Sequence, residues 1–153
     1  RKRAGTDYEL LGYFLTCQLI IEYYIDEMLK IHNPNLNWDE ARISFDTRLK
    51  LLEKHEWAPN CNFLPALKHM NSIRNKISHR IDYKITADSL KPLADFLKQS
   101  PAKARKVTSV RDILNGFTGV CSGYLASDIT AQAQIQKLRG DLDNLLYKSK
   151  KLG

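Results

Sequence analysis

The sequence predicts an all-α fold, a bundle of four to five helices forming one domain over residues 1–153. Three observations carry that expectation. Apolar residues return at intervals of three and four along most of the chain, no stretch alternates apolar and polar residues for a useful length, and the segments are bounded by capping residues and prolines. Hydrophobic residues make up 43% and charged residues 27%, enough to bury a core and against wholesale disorder. No apolar run is long enough to span a bilayer, so no membrane partner is expected.

The first helix should run from Tyr8 to Ile31, capped by Thr6 or Asp7, with Leu10, Phe14, Cys17, Ile21, Tyr24, Ile25 and Met28 on its apolar face. His32-Asn33-Pro34-Asn35 ends it. A second helix is expected from Trp38 to Trp57, capped by Asn37, with Asp39 and Glu40 in the first turn where the helix dipole favours acids, and with Ile43, Leu49, Leu51 and Leu52 for burial. Ala58-Pro59-Asn60 is a break. The third helix spans 63–81, with Pro65 in its first turn, where no amide bond is lost. Thr86 or Asp88 opens a fourth to about Lys98, kinked or delayed by Pro92. A basic linker, Ser100 to Lys106, leads to a last segment of about 108–148, capped by Thr108 or Ser109. Gly116, Gly119, Gly123 and Gly140 leave open whether this is one helix or two. The first three of these glycines share a helix face and would allow close helix contact.

Arg1-Lys2-Arg3-Ala4-Gly5 has no apolar stretch behind it and does not read as a secretory signal; without an initiator Met, the start reads as trimmed. Cys17, Cys61 and Cys121 are too few and too scattered for a disulfide scaffold or zinc cluster, and the default is a reducing, cytoplasmic setting. The four histidines form no paired-ligand pattern, so neither a structural metal nor a cofactor is expected. A net charge of +7 favours polyanionic partners, nucleic acid above all.

The third helix carries the chemistry. On a helical wheel Phe63, Leu67, Met70, Ile77 and Ile81 fall in a narrow arc, and Arg74 falls inside it. Arginine keeps its proton, so burial there would demand an acid, several acceptors or a wet cleft. Glu22, at the edge of the first helix's apolar arc, is the candidate partner. His79, five residues on, lies about 140° around the helix from Arg74, whereas Asn75 and His79 share a side. Arg74 and His79 could therefore converge through arginine's reach, a kink, or a two-fold axis between two chains. Between 63 and 81 the chain holds Lys68, Arg74, Lys76 and Arg80, two histidines and no acid. Arginine's fork can grip phosphate oxygens and histidine can move a proton near neutrality, a workable kit for cleaving RNA with its own 2′-hydroxyl and no metal.

Ile73-Arg74-Asn75-Lys76-Ile77-Ser78-His79 closely resembles the signature of the HEPN superfamily (higher eukaryotes and prokaryotes nucleotide-binding), an Arg, a polar residue, then His after four to six positions. With QLIIEYYIDEML, ISFDTRLKLLEKHEW and FLPALKHMNSIRNKISH in order, residues 8 to 98 are similar to the N-terminal helices of HEPN families that include mannitol-operon-repressor-like proteins. The resemblance implies a small helical bundle, commonly a homodimer, with two Arg-His motifs facing each other in a basic cleft. Many members are metal-independent endoribonucleases in toxin–antitoxin, antiphage defence or RNA-processing systems. Carried over, Arg74 would hold the scissile phosphate, His79 would handle protons at the 2′-hydroxyl or leaving oxygen, Asn75 would orient either, and a 2′,3′-cyclic phosphate would be among the products. Lys68, Lys76 and Arg80 would form a basic rim for RNA, and an antitoxin or regulatory protein would be a further partner. One toxin subgroup carries a tyrosine two residues after the histidine; here Ile81 occupies that place and Tyr83 comes four residues on.

The rival expectation is a noncatalytic HEPN module that binds a protein or nucleotide and regulates transcription or a toxin. No helix-turn-helix signature supports a DNA-binding repressor. His69 reads as solvated, and Tyr23 and Tyr24 as core or interface residues rather than base-stacking platforms.

Overall fold

Five helices follow one another: α1 (Tyr8–His32), α2 (Phe45–Leu51), α3 (Leu64–His79), α4 (Lys91–Gln99) and α5 (Val110–Leu152). They come from a computed structural model that describes residues 5–80, 82–101 and 107–153. No strand occurs among the described residues, and the fold is the all-α bundle that the periodicity predicts. Arg1 to Ala4, Ile81 and the linker residues Lys103 to Lys106, each given a place in the sequence analysis, lie outside the described residues.

Local chemistry accounts for most boundaries. Asp7 caps α1 by accepting from the Leu10 amide at 2.9 Å, and Asn33 closes it by donating from its amide and its side chain to the Leu29 carbonyl. Ser109 caps α5 by accepting from the Asp112 amide at 3.0 Å. Pro92 delays α4: Asp88–Leu90 form a single 3₁₀ turn, and the α-helix starts at Lys91 with proline in its first turn. The last segment is one helix of 43 residues running through all four glycines. Of the three that share a face, only Gly116 meets a neighbour: a Cβ there would lie 3.1 Å from Leu97 Cδ1, so α4 packs closely at this point. All three line an open apolar groove of about 610 Å³, where a Cβ at Gly119 or Gly123 would meet nothing.

The second helix is shorter than expected. Only Phe45–Leu51 is α-helical, followed by a 3₁₀ turn over Leu52–Lys54. Two capping choices compete in this segment, and the later one starts the helix. Ser44 is extended and accepts from the Thr47 amide, which starts a helix at Phe45. Asn37 accepts from the Glu40 amide, but this produces a turn rather than a helix, and the Trp38 indole is drawn back onto the Asn33 carbonyl at 2.9 Å. Leu49 and Leu52 are buried as expected, Ile43 is half-buried, and Leu51 is exposed.

α1 and α5 lie side by side and parallel, joined at one end by Glu9 and Arg111 (2.8 Å) and at the other by His32 and Asp128 (2.6 Å). α3 runs the opposite way along α1. Its Asn71 meets Gln18, and the segment after it, Tyr83 to Thr86, lines a cleft with Asp7, Leu10 and Leu11. The buried face of α1 holds Phe14, Cys17, Ile21, Ile25 and Met28 as expected, with Leu11, Gln18 and Leu29 added and Leu10 and Tyr24 only half-buried. Phe63 anchors the centre. It is fully buried and makes edge-to-face contacts with Trp57 (4.7 Å), Tyr124 (5.8 Å), Phe96 (6.3 Å) and Phe117 (6.5 Å), so one ring joins α3, α4, α5 and the loop before α3. Replacing Phe63 with Ala should cost about 3–5 kcal/mol, because four rings cannot collapse into the space at once; urea unfolding of the two proteins measures the difference.

Candidate functional site

The residues singled out by the sequence stand on the last two turns of α3 and the residue after it. Arg74, Asn75, Lys76 and His79 are all exposed, as is Arg80, which closes the helix with its amide bonded to the Lys76 carbonyl. Arg74 is therefore not buried in a seam. The arc that contains it is covered as far as Asn71: Leu64, Leu67, Met70 and Asn71 are buried across its full width. Beyond Asn71 only Ile73 and Ile77, on one margin of the arc, stay buried, while Arg74, Asn75 and Ser78 face outwards. The wheel identifies the face correctly, but among the described residues nothing covers its far end.

The Glu22–Arg74 bridge does not form. Glu22 accepts from Gln18 Nε2 at 3.4 Å, and the same nitrogen donates to Asn71 Oδ1 at 3.3 Å. The acid thus belongs to a polar contact between α1 and α3 one turn below Arg74. The side chains of Arg74, Asn75 and His79 have no hydrogen-bond or ion-pair partner among the described residues. α3 is regular through His79, so the separation of about 140° between Arg74 and His79 stands within one chain, while Asn75 and His79 share a side.

The rim residues differ from one another. Lys68 is paired with Glu53 at 2.6 Å, and the ammonium holds that carboxyl below its usual range; this pair is exposed and joins α3 to the turn after α2. Lys76 Nζ lies 6.0 Å from the Tyr83 ring centre. Arg80 is free among the described residues. His69 is not merely solvated: its Nε2 is 2.6 Å from the Ser89 carbonyl, tying α3 to the turn before α4.

An apolar stripe runs along α1. Since α3 is antiparallel to α1 and Asn71 sits opposite Gln18, Arg74 stands at about the level of Leu15. Tyr8, Leu15, Leu19 and Tyr23 are exposed, Leu19 to 63% and Tyr23 to 61%, and fall within about 80° of one another on the helix, with Gly12 opening a shallow place between them. An uncovered apolar stripe on α1 therefore stands at the same level as the cationic end of α3.

A second cluster escapes sequence reasoning, because its members lie far apart in the chain. His32 meets Asp128, His55 Nε2 is 3.1 Å from the Tyr124 hydroxyl, and the two imidazole centres are 6.3 Å apart. Burial pushes His55 below its ordinary 6.5, with the nearby His32 acting in the same direction and Asp128 and Glu56 opposing it; burial likewise raises the Tyr124 hydroxyl. No spacing signal could have joined these residues. Cys17 and Cys121 are buried and free, and burial pushes the Cys121 thiol well up, which makes it inert. Among the described residues no three His, Cys, Asp or Glu side chains gather as metal ligands.

No protein-family model matches the chain, and neither the curated proteins nor the solved structures contain a match to it.

Because His55 is held below its ordinary value in the folded chain, the unfolded chain takes up that proton first. Its contribution to stability is complete above about pH 6.5 and is lost as the pH falls through the lowered value. His55→Gln should flatten the acid side of the melting-temperature profile below about pH 6.5; an unaltered slope would show that His55 does not set that decline.

Proposed function

We propose that the chain is a metal-independent endoribonuclease of HEPN type, acting as a homodimer on RNA, with a role in toxin–antitoxin, antiphage defence or RNA processing. The observation that carries this reading is the exposure of Arg74, Asn75 and His79, without described partners, on a helix that holds no acid between 63 and 81. Had a carboxylate sealed Arg74 inside the bundle, the proposal would have failed. A guanidinium left open to solvent beside a free amide and a free imidazole is instead arranged to receive an anion.

In the proposed reaction the 2′-hydroxyl of a nucleotide attacks the adjacent phosphorus while the bond to the 5′-oxygen of the next nucleotide breaks. Arg74 donates to the non-bridging phosphate oxygens, whose charge grows in the transition state. His79 takes the hydroxyl proton or supplies one to the departing oxygen, and Asn75 orients the phosphate or the imidazole. The products are a 2′,3′-cyclic phosphate and a free 5′-hydroxyl. A single chain presents Arg74 and His79 on different sides of α3, which favours a site completed by a second subunit. The exposed apolar stripe of Tyr8, Leu15, Leu19 and Tyr23, at the same level on α1, supports such pairing. Lys76 and Arg80 extend the positive edge for phosphates; Lys68 serves this role only by leaving Glu53.

The same 140° separation keeps the second reading in play: a noncatalytic HEPN module whose open cationic edge docks a toxin, antitoxin or nucleotide.

RNA should be cut in the presence of EDTA and should yield cyclic phosphate ends. His79→Ala should lower the rate by at least about a hundredfold, and Arg74→Lys, which keeps the charge and loses the fork, should also be strongly impaired. Gel analysis of labelled RNA, with sedimentation to check the assembly, reads both; intact RNA across varied substrates would favour the binding module.

A further inference from the structure

The second half of α5 leaves the bundle. Every residue from 133 to 153 is exposed, although α5 continues as regular helix to Leu152. Among the described residues the last tie to the rest of the fold is Gln136 Nε2, which donates to the Ile31 carbonyl at the end of α1. A helical stretch of this length stands poorly alone in water, and this one has little internal support. Gly140 lies in its middle, and no ion pair among the described residues falls within it.

Its sequence is nevertheless patterned. Ile135, Leu138, Leu142, Leu145, Ser149 and Leu152 follow alternating steps of three and four, the spacing of a coiled-coil seam. The apolar members are uncovered: Leu138 is exposed to 68%, Leu142 to 56%, Leu145 to 65% and Leu152 to 91%. Gly140 falls on the opposite side, where packing would not need a side chain.

The residues flanking the seam identify its occupant. With a second copy laid antiparallel, Leu142 faces the partner's Leu145, Ile135 faces the partner's Leu152 and Leu138 faces the partner's Ser149, each contact occurring twice. That register sets Asp141 against the partner's Lys148, again twice, and lays the stem of Arg139 beside the partner's Leu146. Parallel pairing would stack Ser149 on its own copy and place Asp141 against the partner's Leu146, with no opposite charges meeting. The antiparallel arrangement also sets the helix dipoles head to tail and puts the two bundles at opposite ends of the seam, clear of each other.

We propose that the C-terminal half of α5 is a self-association element, pairing antiparallel with the same segment of a second copy of this chain. This contact is separate from the edge that bears Arg74 and does not depend on the nuclease reading.

Sedimentation of the whole protein tests it. Leu142→Lys should halve the mass of the assembly, whatever the α1–α3 edge does, with the near-ultraviolet signal of the aromatic core unchanged. Asp141→Lys and Lys148→Asp should each weaken association about tenfold, and mixing these two variants in equal amounts should restore it, since each then meets an opposite charge twice. Ile135→Cys and Leu152→Cys chains, in a Cys61→Ser background, should cross-link to each other but not to themselves. An unchanged mass in Leu142→Lys, no recovery on mixing, or Ile135→Cys joining its own copy would each overturn the proposal. Loss of RNA cleavage in Arg74→Lys with these results intact would concern the nuclease site alone.

Discussion

The contact between Gln18 and Asn71 governs how this bundle presents its chemistry. It is a polar junction between α1 and α3, both side chains buried, and it is shared with Glu22. A buried amide donor left without a partner costs roughly 1–3 kcal/mol, so this register satisfies Gln18 Nε2, although Gln18 Oε1 finds no partner among the described residues. That register fixes the level of α3 along α1. One turn beyond Asn71 the cover over α3 ends, and Arg74 emerges where a helical wheel places a buried side chain.

The consequence for function follows from the division of α3 into two halves. Its first half is core: Phe63 at the start and Leu67 and Met70 after it lie at zero exposure against the aromatic cluster and the neighbouring helices. Its second half is a display surface, with Asn75 and His79 on one side and Arg74 on the other. A packed half holding an exposed half positions these side chains and leaves them accessible.

A comparable division organises α5. Its first half packs Ile113, Leu114, Phe117, Cys121 and Leu125 into the bundle, and its second half is wholly exposed. α1 ends at His32, where Asp128 and Gln136 meet it, and no described element continues the cover. The free segment keeps an apolar repeat that solvent does not require, which is why a second chain is the natural place to look for its missing contacts. The His32–Asp128 and His55–Tyr124 pairs lie near this exit from the core and brace the point where α5 departs.

Taken alone, the sequence determined the helices and where most of them begin. Asp7, Ser109, Pro65 and Pro92 act on the first turn of a helix through bonds that span three or four residues, so their effects are local and legible. It also determined that Arg74, Asn75 and His79 occupy a helix without acids. The length of α2 was less legible, because Asn37 and Ser44 are both competent caps and the choice between them depends on Trp38 folding back onto Asn33. Only the tertiary structure decided that Arg74 is open, that Glu22 serves Gln18, that His69 holds Ser89, and that His32 and His55 are neighbours. Periodicity reports which face of a helix is apolar; what covers that face, and how far along, depends on the lengths and directions of other helices, which no local pattern contains.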